Sequence, residues 1–102
     1  MKYGLDTKTL YAIISEFEKI NEIEKVVLYG SRAKGNFKPA SDIDLVLQGK
    51  NISGTTLNKL SWALDDLLLP YTFDIAILHQ IKHDDLLDHI NRIGITIYIK
   101  TR

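Results

Sequence analysis

The stretch from residue 26 to residue 47, VVLYGSRAKGNFKPASDIDLVL, decides the fold of this 102-residue chain. A run of β-branched and aromatic residues stops at Gly30-Ser31, and after ten further residues Asp42 and Asp44 open a second apolar run. Runs of this kind that end at glycine and serine are typical of buried strands followed by a turn. The stretch therefore predicts a strand, a turn into a short helix, a loop and a second strand.

The flanking sequence predicts further helices and strands. Apolar residues recur at helical spacing in three longer segments, and two short runs rich in isoleucine have the character of strands. The predicted elements are a helix over 6–20, a strand over 26–29, a short helix over 31–34, a strand over 42–47, a helix over 57–68, a strand over 73–78, a helix over 83–92 and a strand over 95–99. This order predicts one domain, residues 1–102, of the α/β (α+β) class, with a small mixed sheet of about four strands flanked by helices. The leucines of the 57–68 helix, Trp62 and Phe17 are predicted to lie in the core.

The composition limits the classes of protein to which the chain can belong. Thirteen Lys and Arg balance thirteen Asp and Glu, and the chain has no cysteine. A net charge of zero lacks the basic field of a dedicated nucleic-acid binder, so direct binding to nucleic acid is not expected. The absence of cysteine excludes a disulfide framework and a Cys-based zinc site. Because no apolar run approaches about 18 residues and no signal-peptide pattern is present, we expect a cytoplasmic protein without membrane contact.

Gly30-Ser31 ends a predicted strand where a helix begins, and this arrangement suits a phosphate group. Backbone N–H groups, a hydroxyl and the positive end of a helix come together there. The turn is not a Walker A loop, because no Gly-Lys-Ser/Thr triplet closes it. Taken alone, the pair is more often a turn with a helix cap. Arg32 and Lys34 beside it could neutralise phosphate charge, although a solvent-facing helix explains either residue equally well.

Three aspartates on predicted strands form the second candidate feature. Residues two apart on a strand point to one face, so Asp42 and Asp44 lie with their Cα atoms about 6–7 Å apart and repel each other unless a cation lies between them. Asp74 interrupts an apolar strand, where an unpaired carboxylate is costly. Carboxylate oxygens are ligands that Mg²⁺ prefers. If the two strands are neighbours, the three carboxylates can serve two-metal phosphoryl or nucleotidyl transfer.

Structural explanations of the same polar residues stay open. Asp42 and Asp44 alone are typical of a solvent-exposed edge strand, and Asp74 alone could be a buried helix cap or the partner of a Lys or Arg. The histidines lack the spacing of a zinc site and are predicted to be surface or capping residues. They are His79, His83 and His89.

The segments GSRAKG over 30–35 and SDIDL over 41–45, with the later Asp74, resemble the nucleotidyltransferases of the DNA polymerase β superfamily. The resemblance is strongest to the minimal nucleotidyltransferase (MNT) group and covers essentially the whole chain, although residues 50–71 match only in pattern. It implies a nucleotidyltransferase fold that uses ATP and two Mg²⁺ ions. The implied site consists of Gly30 and Ser31 on the nucleotide phosphates with Arg32 beside them, Asp42 and Asp44 as ligands of both metal ions, and Asp74 as a third ligand that assists deprotonation of the acceptor.

The resemblance also implies a partner. Larger relatives that modify antibiotics or RNA carry an additional domain for the acceptor, and we expect this chain to obtain its acceptor surface elsewhere. Members of the MNT group are paired with a helical HEPN protein, and some are antitoxins that transfer AMP from ATP to a tyrosine of that HEPN toxin. Two alternatives stay open: an antitoxin that acts by binding alone, and a transferase for a small hydroxylated acceptor such as an aminoglycoside. The sequence does not identify the nucleotide or distinguish a homo-oligomer from a hetero-oligomer.

Overall fold

Four strands and four α-helices make up the computed structural model, which describes residues 1–101. In chain order they are α1 (Thr7–Glu18), β1 (Lys25–Tyr29), α2 (Gly30–Lys34), β2 (Ile43–Gln48), α3 (Gly54–Asp65), β3 (Phe73–Ile77), a 3₁₀ turn (Leu78–Gln80), α4 (Asp84–Ile93) and β4 (Ile95–Ile99). Each predicted helix and strand is present, and the predicted and observed bounds agree within a few residues. The predicted fold class, a small mixed sheet flanked by helices, is confirmed.

The sheet has the strand order β3-β2-β1-β4. β1 runs antiparallel to both β2 and β4, whereas β2 and β3 are parallel. A parallel pair needs a crossover connection, and α3 supplies it between β2 and β3. This topology brings the end of β1 and the starts of β2 and β3 to one edge of the sheet.

The main core lies between the sheet and the two long helices α1 and α3. Alternate residues of β2, namely Ile43, Leu45 and Leu47, face this core and meet Phe17 of α1 and Leu60 of α3. All five side chains are almost completely buried. Burying one such side chain contributes about 1.5–3 kcal/mol, so the packing on this face holds the sheet in place.

The opposite face of the sheet carries a smaller apolar cluster. Val27 and Tyr29 of β1, Val46 of β2 and Ile90 of α4 form its buried part. His83 directly precedes α4, and its Nδ1 accepts a hydrogen bond from the N–H of Leu86 at 3.3 Å. His83 is therefore a capping residue, as predicted. Because α4 is short, it covers this face only in part, and the starts of β2 and β3 stay accessible.

Two residues predicted to lie in the core are exposed instead. Trp62 is 74% exposed and Leu68 is 89% exposed. Trp62 lies two residues from Leu60 and two from Leu64, which places it about 200° around the helix from each of these buried leucines. Leu68 lies beyond the last residue of α3, so the helical spacing no longer applies to it. The prediction for Phe17, which is fully buried, is confirmed.

The helices of residues 1–101 are too short or too polar to cross a membrane.

Candidate active site

Two of the predicted carboxylates lie side by side where β2 and β3 begin. Asp44 pairs in register with Asp74 across the parallel strands, so both side chains leave the sheet on the same face. This is the face that α4 covers only in part. Asp42 is exposed and directly precedes β2, although the sequence predicted it within the strand. The condition set by the sequence, that the two strands be neighbours, is met.

Asp74 does not lie in the apolar surroundings that the sequence predicted for it. Asp74 is exposed, because its apolar neighbours Phe73 and Ile75 point to the opposite face and pack against the main core. Among residues 1–101, the two ion pairs are Lys19–Glu16 and Arg92–Asp88, so Asp74 pairs with no described Lys or Arg. It is a solvent-facing carboxylate next to Asp44.

The environment of Asp44 disfavours its ionised form. Burial raises the pKa of Asp44, and the negative charges of Asp74 and then Asp42 raise it further. Weaker attraction from His89 and Arg32 opposes these effects. A site with crowded carboxylates and too little positive charge attracts a cation.

The donor set agrees with Mg²⁺ in chemistry but does not form a closed metal site. The three aspartates offer only oxygen ligands, which Mg²⁺ prefers. Across the part of the chain that the structure describes, no three His, Asp or Glu side chains stand close enough together to hold a metal ion. Asp44 and Asp74 supply an adjacent pair, and the exposed Asp42 has to turn toward them to complete a set of three.

Gly30 allows the turn after β1 to lie directly against the carboxylate of Asp44. Its φ of +73° falls in the left-handed region, which other residues rarely adopt. A Cβ atom at this position would overlap Oδ2 of Asp44 and would lie 2.9 Å from its Cγ. The glycine is therefore required for conformation and for space. Ser31 follows Gly30 in α2 and is partly exposed.

Arg32 of α2 is buried against the loop that follows the helix, with 1% of its surface exposed. Its guanidinium donates hydrogen bonds to three backbone carbonyls: Nε and Nη2 to Ser41 at 3.1 and 2.9 Å, Nη2 to Pro39 at 3.2 Å, and Nη1 to Tyr3 at 2.9 Å. The group also lies 5.3 Å from the ring centroid of Phe37 and 4.9 Å from that of Tyr71. Arg32 thus ties the N-terminal segment to the loop that leads into Asp42.

These contacts assign a different role to Arg32 from the one predicted. Four of its five N–H donors are used by backbone carbonyls, and two aromatic rings cover the guanidinium. Arg32 accordingly positions Ser41, the residue before Asp42, and its contact with nucleotide stays a prediction.

Replacing Arg32 by methionine is expected to lower the free energy of unfolding by about 3 kcal/mol, because three carbonyls lose their buried donors. Arg32→Lys should recover part of this loss, since an ammonium cannot reproduce the planar fork. Urea unfolding measures both effects, and Lys34→Met on the exposed side of α2 is the matched control. Unchanged stability with weakened nucleotide binding would favour a direct contact instead.

Two aromatic residues of the site were not identified from the sequence. Tyr29 pairs with Asp44 across the antiparallel strands, and burial, reinforced by Asp74 and Asp44, raises its pKa to about 12. His89 of α4 accepts a hydrogen bond from the N–H of Gly30 at 3.1 Å. The position of Tyr29 directly before the glycine is a usable signal. His89 was predicted to be a surface or capping residue, and it accepts the N–H of the first residue of α2. No local sequence pattern connects it to a turn 59 residues away.

Known proteins match this chain in family and in fold. The family model for polymerase beta nucleotidyltransferases matches residues 12–102. A toxin–antitoxin crystal structure with AMP-PNP shares the fold, with a TM-score of 0.69 and 17% identity over 95% of this chain and 76% of that chain. A structure of a tri-AMPylated Shewanella oneidensis HEPN toxin with an MNT antitoxin has a TM-score of 0.68, with 16% identity over 94% and 74% of the two chains.

The toxin–antitoxin structure MntA-HepT is also similar, with a TM-score of 0.67 and 16% identity over 93% of this chain and 74% of that chain. No curated protein matches the sequence. At these identities the solved structures establish the fold, whereas the family model spans nearly the whole sequence and includes Gly30-Ser31, Asp42, Asp44 and Asp74. The chain belongs to the polymerase beta nucleotidyltransferase family.

Proposed function

We propose that this chain is a nucleotidyltransferase that transfers AMP from ATP to a tyrosine hydroxyl of a helical HEPN-type protein, and that it acts as the antitoxin of that partner. The observation that carries the proposal is the in-register pair Asp44 and Asp74 beside the Gly30 turn. Membership of the nucleotidyltransferase family supports the reaction class. The similar structures contain AMP-PNP in one case and an AMPylated HEPN toxin in another, which supports the nucleotide and the partner.

In this proposal Ser31 and the turn at Gly30 hold the triphosphate, and Asp42, Asp44 and Asp74 hold Mg²⁺. Two bound Mg²⁺ ions would neutralise the charge of the triphosphate next to the carboxylates. The acceptor oxygen attacks the α-phosphorus, the bond to the β-phosphate breaks, and pyrophosphate leaves. Asp74 accepts the hydroxyl proton, because it is the solvent-facing carboxylate of the pair.

The exposure of the site fits a macromolecular acceptor. Asp42 and Asp74 both face solvent. On this side of the sheet, α4 reaches the Gly30 turn through His89 but leaves the two carboxylates open. A small acceptor would be held by few groups on such an open surface. A docked protein can supply the missing wall and align its own hydroxyl with the α-phosphorus.

An antitoxin that acts by binding alone is the second candidate. The observation that favours it is the absence of a three-residue metal-binding group within residues 1–101. The two candidates differ in whether nucleotide and metal are needed.

The nucleotide half of the proposal predicts saturable binding of α,β-methylene-ATP that depends on Mg²⁺. Carboxylates alone repel a triphosphate, so chelation with EDTA should weaken binding by at least about tenfold. Isothermal titration calorimetry without acceptor measures this, since the methylene bridge prevents transfer. Asp65→Asn, an exposed change at the end of α3, is the matched control and should bind like the wild type. Equal affinity with and without EDTA would contradict the metal bridge.

A further inference from the structure

His89 joins α4 to the turn after β1. The backbone N–H of Gly30 donates to its Nε2 at 3.1 Å, across 59 residues of sequence. The imidazole ring stands edge-on to the ring of Tyr29, with centroids 6.1 Å apart and an interplanar angle of 77°. Among residues 1–101 no other side chain forms a hydrogen bond with the backbone of residues 29–31. This turn is therefore held by one side-chain contact from a distant helix.

The hydrogen bond determines the state of the ring and of the turn. Because Nε2 accepts a hydrogen bond, the neutral imidazole carries its own proton on Nδ1. Gly30 in turn is held at the positive φ that places its Cα against the carboxylate of Asp44. His89 thus secures the first residue of α2, which lies directly against the carboxylate of Asp44.

We propose that His89 is a positioning residue of the nucleotide site, which fixes the Gly30-Ser31 turn against Asp44 by accepting the N–H of Gly30. The inference rests on the proposed function, because the turn matters to affinity only if it holds phosphate. Ser31 belongs to α2 and Asp44 to β2, and Gly30 is the residue at which α2 contacts the Asp44 side chain.

Loss of the acceptor leaves a part-buried N–H without a partner, and the turn then has to be ordered when nucleotide binds. Affinity should fall by about the value of one such hydrogen bond, which corresponds to about fivefold to tenfold in Kd. Glutamine carries a carbonyl oxygen at a reach similar to that of Nε2, so it can restore the contact.

The experiment compares His89→Leu, His89→Gln and a matched control in the full-length chain. His83→Leu removes a hydrogen bond of the same kind, from the N–H of Leu86, at the other end of α4. Calorimetry with Mg²⁺ and α,β-methylene-ATP should give a Kd about fivefold to tenfold higher for His89→Leu than for the wild type. His89→Gln should stay within about twofold, and His83→Leu should destabilise α4 without changing the Kd.

Amide hydrogen exchange at Gly30, measured by NMR without nucleotide, gives an independent result. The amide should exchange slowly in the wild type and in His89→Gln, and fast in His89→Leu. If the wild type binds nucleotide and His89→Leu binds equally well, or if His89→Gln is as impaired as His89→Leu, the inference is wrong and the proposed function stands. If the wild type binds no nucleotide, the proposed function fails. If the Gly30 amide exchanges equally fast in all variants, His89 does not hold this amide and the inference is wrong.

Discussion

Replacing Asp44 by asparagine is expected to reduce AMP transfer by at least about a thousandfold. Asp44 is the central carboxylate of the site, in register with Asp74 on one side and paired with Tyr29 on the other. An amide of the same shape keeps the packing against Gly30 but removes the charge that would hold Mg²⁺. The measurement is the initial rate of adenylyl transfer to the partner protein at saturating ATP.

The same substitution is expected to leave the metal-free protein as stable as the wild type, or to raise its Tm by up to about 4 °C at neutral pH. The pKa of folded Asp44 is raised, so its ionisation weakens the fold as the pH rises through the folded-state pKa. Below the ordinary carboxyl pKa of 3.8, Asp44 is protonated in both the folded and the unfolded wild type. The difference in Tm between the wild type and Asp44→Asn therefore disappears there. Thermal melts in EDTA from about pH 3 to about pH 8 test the direction.

Asp65→Asn at the end of α3 removes the same charge outside the site and should leave transfer unchanged. A structural role for Asp44 predicts the opposite pattern. If Asp44→Asn melts several degrees lower at neutral pH and keeps its activity, the carboxylate serves the fold and not the reaction.

The positions of the helices and strands follow from local sequence patterns, whereas their pairing does not. The strand predicted over 42–47 is found at Ile43–Gln48, because alternation and turn residues act over a few positions. Nothing in the sequence states that β2 and β3 are adjacent and parallel. That arrangement depends on the packing of α3 across the sheet, and it alone places Asp74 beside Asp44.

The site residues divide in the same way. Gly30, Ser31 and the three aspartates stand out because their residue types and spacing are unusual for strands and turns. Their chemical roles stay predictions. Arg32 carries the same local signal as a phosphate-binding arginine, and only the folded chain brings three carbonyls onto its guanidinium.

Surface exposure and long-range contacts are the least predictable features. An apolar residue type suggests a core position for Trp62, but its angular position on α3 places it in solvent. His89 lies on an amphipathic helix, and its contact with Gly30 depends on how α4 packs against the sheet.

Adenylyl transfer to a partner protein is the second large effect that we expect. Incubation of the chain with ATP, Mg²⁺ and the proposed HEPN-type partner should add the mass of one or more AMP groups to that partner, as intact mass spectrometry detects. Both reacting groups are then oriented by docking, which lowers the barrier because the attack becomes effectively intramolecular. Peptide mapping should place the modification on a tyrosine hydroxyl, and phenylalanine at that position should prevent it.

The controls separate catalysis from binding. Asp44→Asn should dock on the partner without adding AMP, since the change keeps the shape of the surface and removes only one partly buried charge. Omitting ATP should have the same effect on the wild type. If the partner is neutralised in both cases and its mass does not change, the antitoxin acts by binding alone. In that case the adjacency of Asp44 and Asp74 is a feature of the fold that the protein does not use for transfer.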